Sequence, residues 1–375
     1  MNNYLSLTAL FALLFSFSFF SYSDSEKISA YKIDTIASGL GVPWGMAVMP
    51  NNTLLITQRE ALLSQVNLKT GKLTSISGLP KDIKVGGQGG LFDIALSPNY
   101  SATHWIYFSY NKDVGKQGAT TLARAKIENK ALVDWQDLLV TQSISNRAVH
   151  YGGRISFDNH GHVFLSVGER GVRANGQDLM MHAGSILRLN LDGSTPNDNP
   201  FVNNNKILPE VWSYGHRNPQ GLFYNTYSQQ LWSSEHGPRG GDEINLVRAG
   251  HNYGWPIVSH GQEYNAPIAV GEGTERDGIV SPVKTYIPSI ATSSLIQYRG
   301  NHFPELTGDL LVGALKAQHV NHIDLDENNN VKAENRILRS INGRIRNIIE
   351  SPEGWLYIST DDGRILKVSC SKTSK

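Results

Sequence analysis

One strand–turn–strand unit returns along the whole chain, and it narrows the fold more than any other feature. A Gly or Pro leads into an alternating strand. An Asn/Asp/Pro/Gly turn follows, then a second strand rich in β-branched and aromatic residues. The unit reads VPWGMAVMPNNTLLITQ from Val42, GGLFDIALSPNYSATHWIYFSY from Gly89, GGRISFDNHGHVFLSVGE from Gly152, NPQGLFYNTYSQQLWSSE from Asn218 and RIRNIIESPEGWLYISTDD from Arg344. A looser copy runs from Ser294 through GDLLVGAL. Six copies, spaced by roughly 45 to 75 residues, predict an all-β fold: a six-bladed β-propeller with four-stranded antiparallel blades. The turns Pro50-Asn51-Asn52, Asp158-Asn159-His160-Gly161 and Pro352-Glu353-Gly354 suit tight hairpins. The strand around Tyr31 to Ile36 is expected to pair into the last blade and close the ring. A β-sandwich with a second domain also accommodates regular strand spacing. No Pro/Ser-rich linker divides the chain, which favours the propeller.

Composition agrees. The 375 residues include 36 Gly and 15 Pro, and 34 basic side chains nearly cancel 33 acidic ones. No basic block supports nucleic-acid capture. Tyr4 to Phe20 is almost wholly apolar or small, and Ser21-Tyr22-Ser23 ends it in a weak cleavage pattern. Residues 1–23 therefore read as a secretory signal peptide, although the segment before the apolar run lacks Lys and Arg; an uncleaved anchor is the alternative. Residues 24–375 read as one propeller domain with no transmembrane segment. The only cysteine is Cys370, so no intramolecular disulfide forms, and export without disulfides fits a bacterial periplasm.

A propeller gathers loops from all blades at one end of its channel, so its site residues should be dispersed in sequence. His150 stands before the third unit's first strand, where its imidazole could accept a proton from an alcohol. Arg217 and Asn218 stand at the same place in the fourth unit, suited to a carbonyl or carboxylate. Lys316 follows the fifth unit's apolar strand. Arg344 and Arg346 flank Ile345, and alternation puts both on one face. Three cations sharing a channel demand an anion. Gln88 sits among four glycines that permit close backbone approach. Each of these, taken alone, also reads as a solvated or structural residue. The stretch Trp232 to Pro256 reads as a loop, with Gly237, Pro238 and Glu243 as oxygen ligands for a hard cation such as calcium; solvated acids on a surface loop are the alternative. Together the set suits a small, planar, polyanionic cofactor beside a metal.

The segments PWGMAVMP, GQGGLFDIALSP, HYGGRISFD, EVWSYGHRNPQGL, EHGPRGGDEIN, HNYGWP, GALK and GRIRNI together resemble the soluble PQQ-dependent sugar dehydrogenases of the glucose/sorbosone dehydrogenase family. The resemblance implies PQQ (pyrroloquinoline quinone) across the channel mouth and oxidation of an aldose at C1 to the lactone. His150 would be the general base. Arg217 would stabilise charge at the reacting quinone oxygen. Asn218 and Gln88 would hydrogen-bond the cofactor, and Lys316, Arg344 and Arg346 would meet its carboxylates and quinone oxygens. The carbonyls of Gly237 and Pro238 would hold a Ca2+ ion against PQQ. Glu243, with the carbonyls of Tyr253 and Tyr264, would form a second, structural calcium site. Some members carry an acid just before the catalytic histidine; here Val149 stands there, so the ring must be oriented from elsewhere. The segment from Gln262 to Pro282 matches nothing in the family pattern. The implied partners are an aldose and an electron acceptor, a quinone or a cytochrome. A calcium-dependent propeller lactonase and a non-catalytic binding propeller are the competing readings. The first would need several inward carboxylates around one metal, where this chain offers cations.

Overall fold

A computed structural model describes residues 31–370; the proposed leader at 1–23 lies outside the described residues. Six four-stranded antiparallel sheets form the molecule, spanning 43–76, 91–140, 155–214, 219–286, 292–337 and 345–370. They are numbered here as blades 1 to 6. Blade 6 takes its fourth strand from the other end of the chain: Tyr31–Ala37 pairs antiparallel with Arg364–Cys370. The expected ring closure is present. Helix among the described residues is limited to one turn, Tyr100–Thr103, and three short 3-10 segments.

Strand composition follows position in the blade. The second strands, such as Thr53–Gln58 and Leu356–Thr360, are buried along nearly their whole length. They lie between two neighbouring blades, so both faces need apolar side chains. Leu54, Leu55 and Ile56 are all fully buried. Outer strands such as Val331–Ile337 are exposed or half-buried over most of their length, because they meet water. Six apolar clusters fill the six seams between blades, one per seam. A seventh, Trp44–Phe92–Tyr151, stands on the inner strands of blades 1 and 2 and the lead-in to blade 3.

A ring of hydroxyl bonds ties the blades together near the axis. Thr57 Oγ1 donates to the Phe92 carbonyl and Ser109 Oγ to that of Gly153. Ser166 Oγ reaches Pro219 O at 3.1 Å, Ser234 Oγ reaches Ser293 O at 2.6 Å, and Ser359 Oγ reaches Pro43 O at 2.8 Å. Blade 5 has Gly313 where the others have Ser or Thr, and Ser293 donates instead, to Ile345 O at 2.7 Å. A Cβ on Gly313 would lie 2.4 Å from that Ser293 hydroxyl. Each bond contributes about 1 kcal/mol. Five of the six inner strands also slip register beside their second strand, at Pro43/Gly45, Leu91/Ile94, Pro219/Gly221, Thr292/Leu295 and Ile345/Asn347. Such bulges re-aim side chains at a sheet's end, and these lie at the end where the site residues gather.

The stretch Trp232 to Pro256 is not one loop, contrary to its sequence reading. Gln230–Glu235 and Asp242–Val247 are blade strands, and only 236–241 turns between them. Ser233, Ser234 and Glu235, which close the fourth repeat unit, are buried polar residues of its second strand rather than loop residues.

Candidate active site

Two kinds of loop meet at one end of the channel. The first leads from one blade into the inner strand of the next; it carries Gln88, His150, Arg217, Asn218 and Arg344. The second joins a blade's second and third strands; it carries Arg59, Glu169, His236 to Gly241, Lys316 and Asp361. Lys316 therefore does not hold a position equivalent to the other candidates.

His150 sits on the strap between blades 2 and 3 with φ of 51°, a conformation that costs a non-glycine residue about 1–3 kcal/mol. Its backbone N–H donates to Gln88 Oε1 at 2.9 Å. Gly152 is required two residues on, because a Cβ there would meet Ser166 O at 2.6 Å. The ring Nδ1 lies 2.8 Å from Glu169 Oε2, which also accepts the Gly171 N–H. A carboxylate oxygen there assigns the proton to Nδ1 and leaves Nε2 as the acceptor. Glu169 thus supplies the orientation that Val149 cannot, and the sequence reading missed it. The signal was present: Glu169 closes the third unit just past its second strand, in VGERG.

Arg217 is buried where the chain leads into blade 4. Its N–H donates to Glu235 Oε2 at 2.7 Å, and Nη1 donates to the carbonyls of His236 at 3.1 Å and Gly237 at 2.7 Å. Nη2 reaches the Tyr264 hydroxyl at 3.3 Å, and the buried Nε has no partner among the described residues. His236 Nε2 donates to Thr292 O at 2.6 Å. Burial pushes this imidazole down to about 4; Arg217 and His150 push the same way against the opposing Asp242. It is neutral at physiological pH.

Across the mouth, Arg344 Nε and Arg346 Nε donate to the two oxygens of Asp361 at 2.9 and 2.8 Å. The anion demanded by these cations is thus partly supplied by the chain itself. Asp361 escaped the sequence reading although it too closes a unit, in STDDG. Burial alone would raise its carboxyl, but Arg346 and then Arg344 outweigh it and hold it below the ordinary range. Lys316 does not join them. It is exposed and lines an outward depression with Arg336 and Arg339, whereas its neighbour Leu315 lines the mouth. One carboxylate already shared by two guanidiniums offers a third cation little, and an ammonium is strongly hydrated.

A mouth pocket of about 160 Å³ is lined by Gln88, Asn218, Gln220, His236, Arg59, Arg344, Arg346 and Asp361 over the aromatic cluster Trp44, Phe92 and Tyr151; His150 and Arg217 stand outside this lining and are tied to it through Gln88 and His236. Below it the buried pair Arg154–Asp93, 3.1 Å apart, joins neighbouring blades 2 and 3, with Arg154 stacked 4.1 Å from the Trp44 ring. Under that pair a separate cavity of about 620 Å³ opens to the opposite face. Three guanidiniums against one carboxylate, amides at the side and aromatic rings below fit a planar polyanion.

A second small pocket lies behind Arg217, among Glu235, Gly237, Glu243 and Tyr253. The Glu243 carboxyl is pushed up to about 8, first by burial and then by the Glu235 and Asp242 carboxylates. Glu235 accepts from His216 and Arg217, and Asp242 from Gly237, Ser289 and Ala291, yet three acids gathered beside backbone carbonyls still suit a hard cation. No group of three or more His, Cys, Asp and Glu side chains with metal-binding geometry occurs among the described residues, so backbone carbonyls must complete any such site. Tyr264 is not part of this pocket. Its segment folds as a flap, pairing Gln262 with Arg239 and with Ala269, which carries its phenol over Arg217 instead.

Fold and site together define a propeller of the sugar dehydrogenase class, and comparison with known proteins agrees. The sequence profile of the Glucose / Sorbosone dehydrogenase family matches residues 40–367, and the chain belongs to that family. Aldose sugar dehydrogenase YliI of Escherichia coli (strain K12) is 37% identical over 349 residues, 90% of this chain and 92% of its own. The crystal structure of the soluble aldose sugar dehydrogenase from Escherichia coli in the apo-form superposes with a TM-score of 0.86 at 35% identity, covering 91% of this chain and all of that one (100%). The PQQ-bound form of aldose sugar dehydrogenase from Streptomyces coelicolor superposes with a TM-score of 0.75 at 26% identity, covering 91% and 99%.

Proposed function

We propose that this protein oxidises the C1 hydroxyl of aldose sugars to the lactone with PQQ and calcium. The observation that carries this reading is the 2.8 Å contact between Glu169 and His150 Nδ1, with the His150 N–H held by Gln88 of the cationic pocket's lining. When bound, PQQ polarised by calcium would supply the two-electron acceptor for the hydrogen leaving C1. The chain's own part is to bind, orient and move one proton. His150 Nε2 takes the proton of the C1 hydroxyl, and Glu169 stabilises the imidazolium that results. Arg344 and Arg346 bind carboxylates of the cofactor, with Asp361 fixing both guanidiniums beforehand. The amides of Gln88 and Asn218 supply directional hydrogen bonds. Arg217 would offer its guanidinium to a quinone oxygen of the bound cofactor. The Gly237 and Pro238 carbonyls would hold the calcium next to the cofactor, and Glu243 with the Tyr253 carbonyl a structural one. The mature chain, 24–375, would work in the periplasm as a single propeller domain and pass electrons to a quinone or a cytochrome.

Reconstitution tests the reading. Purified mature protein is given PQQ, calcium, both or neither, and dye-linked oxidation is followed across a panel of aldoses. Activity is expected only with both. Oxidation without PQQ, or none with both present, would count against it. Lactone hydrolysis without PQQ would favour a hydrolase instead.

A further inference from the structure

Next to Glu169 stands a residue whose burial needs explaining. Arg170 is fully buried, yet no carboxylate pairs with it within 4 Å among the described residues. Burying a guanidinium costs several kcal/mol unless hydrogen bonds compensate. Here all three nitrogens donate to backbone carbonyls: Nε to Ser143 at 3.2 Å, Nη1 to Val149, and Nη2 to Gly118 at 3.4 Å. The guanidinium also stacks 3.5 Å from the centre of the Tyr151 ring. Arg170 has φ of 62°, and its own N–H donates to the His150 carbonyl at 3.3 Å.

These contacts have one geometric meaning. Ser143 and Val149 bracket the strap that carries the base, Gly118 belongs to the blade 2 hairpin, and Val149 and Tyr151 flank His150 on both sides. We infer that Arg170 is a positioning residue, a buried clamp that fixes the backbone of His150 while Glu169 fixes its ring. The inference rests on the proposed role of His150 as base. The planar fork is what the site requires, because three acceptors at divergent points cannot be met by a compact ammonium. A near-attack geometry is unforgiving: about 1 Å of misplacement costs on the order of a hundredfold in rate.

The test compares Arg170→Met and Arg170→Lys with the wild-type mature chain. With PQQ and calcium, Arg170→Met should lower kcat tenfold to a hundredfold at nearly unchanged KM for the aldose and unchanged PQQ binding; Arg170→Lys should fall between it and wild type. Nitrogen-15 NMR of the cofactor-free protein supplies a second readout. In wild type, His150 should show a protonated Nδ1 and a bare Nε2; in Arg170→Met the ring should sample both tautomers. If Arg170→Met does not fold, Arg170→Lys carries both readouts. Wild-type kcat per folded molecule together with an unchanged His150 tautomer would overturn the clamp, even if the melting temperature dropped. If wild type itself oxidises no aldose, the sugar reading fails, and the NMR comparison still decides the clamp.

Discussion

The two sides of the mouth are built differently. On the base side, His150 is held by a buried carboxylate, a buried guanidinium and a left-handed backbone turn; Glu169 is only 2% exposed at its side chain. On the cation side, Arg344 and Arg346 share one aspartate, and the Arg344 side chain is 49% exposed. One side fixes an angle, so it needs desolvated, over-determined contacts. The other attracts charge, so pairing through Asp361 and partial hydration suffice. Substitutions on the base side should therefore change rate, and those on the cation side should change affinity.

The largest expected effect is at Glu169. Glu169→Gln removes the anion facing Nδ1 while keeping the shape, and kcat should fall by about 10²–10⁴-fold with PQQ affinity within a few-fold, read by steady-state kinetics and cofactor titration. On the opposite side, Arg346→Ala should weaken PQQ binding roughly a hundredfold while kcat at saturating cofactor holds, because a largely buried, charge-assisted contact is worth about 1.5–3 kcal/mol. Arg344→Ala, at the more exposed guanidinium, should cost no more than about tenfold. A loss of kcat in the arginine variants, or of affinity in Glu169→Gln, would erase the division.

The smallest effect is on stability against acid. The Asp361 carboxyl sits below its ordinary value of 3.8 in the folded chain. Its contribution is therefore fully present above that value and is lost as pH falls through the lower folded value. Urea midpoints taken from pH 5 to pH 2 should fall more steeply for wild type than for Asp361→Asn; parallel curves would show that the pairing adds nothing.

The repeats made the blades legible because each second strand is buried on both faces and so announces itself as an apolar run. Of the candidates found in sequence, Gln88, His150, Arg217, Asn218 and Arg344 stand ahead of inner strands, in segments marked by Gly or Pro. Glu169, Arg170 and Asp361 were missed because they follow second strands, where an acid or arginine reads as an ordinary turn. Only the ring shows that these turns point to the same axis. His236 was hidden for another reason: its character comes from burial against Arg217 and Thr292, residues distant in sequence. Lys316 was over-read, since a basic residue after a strand does not disclose which way its side chain leaves the turn.

The most direct test pairs binding with turnover in His150→Ala. Loaded with PQQ and calcium, this variant should bind the cofactor with the stoichiometry and absorbance of wild type and yet oxidise aldoses at least a hundredfold more slowly. Wild-type turnover by His150→Ala, or a wild-type chain that takes up no PQQ at any calcium concentration, would contradict the account.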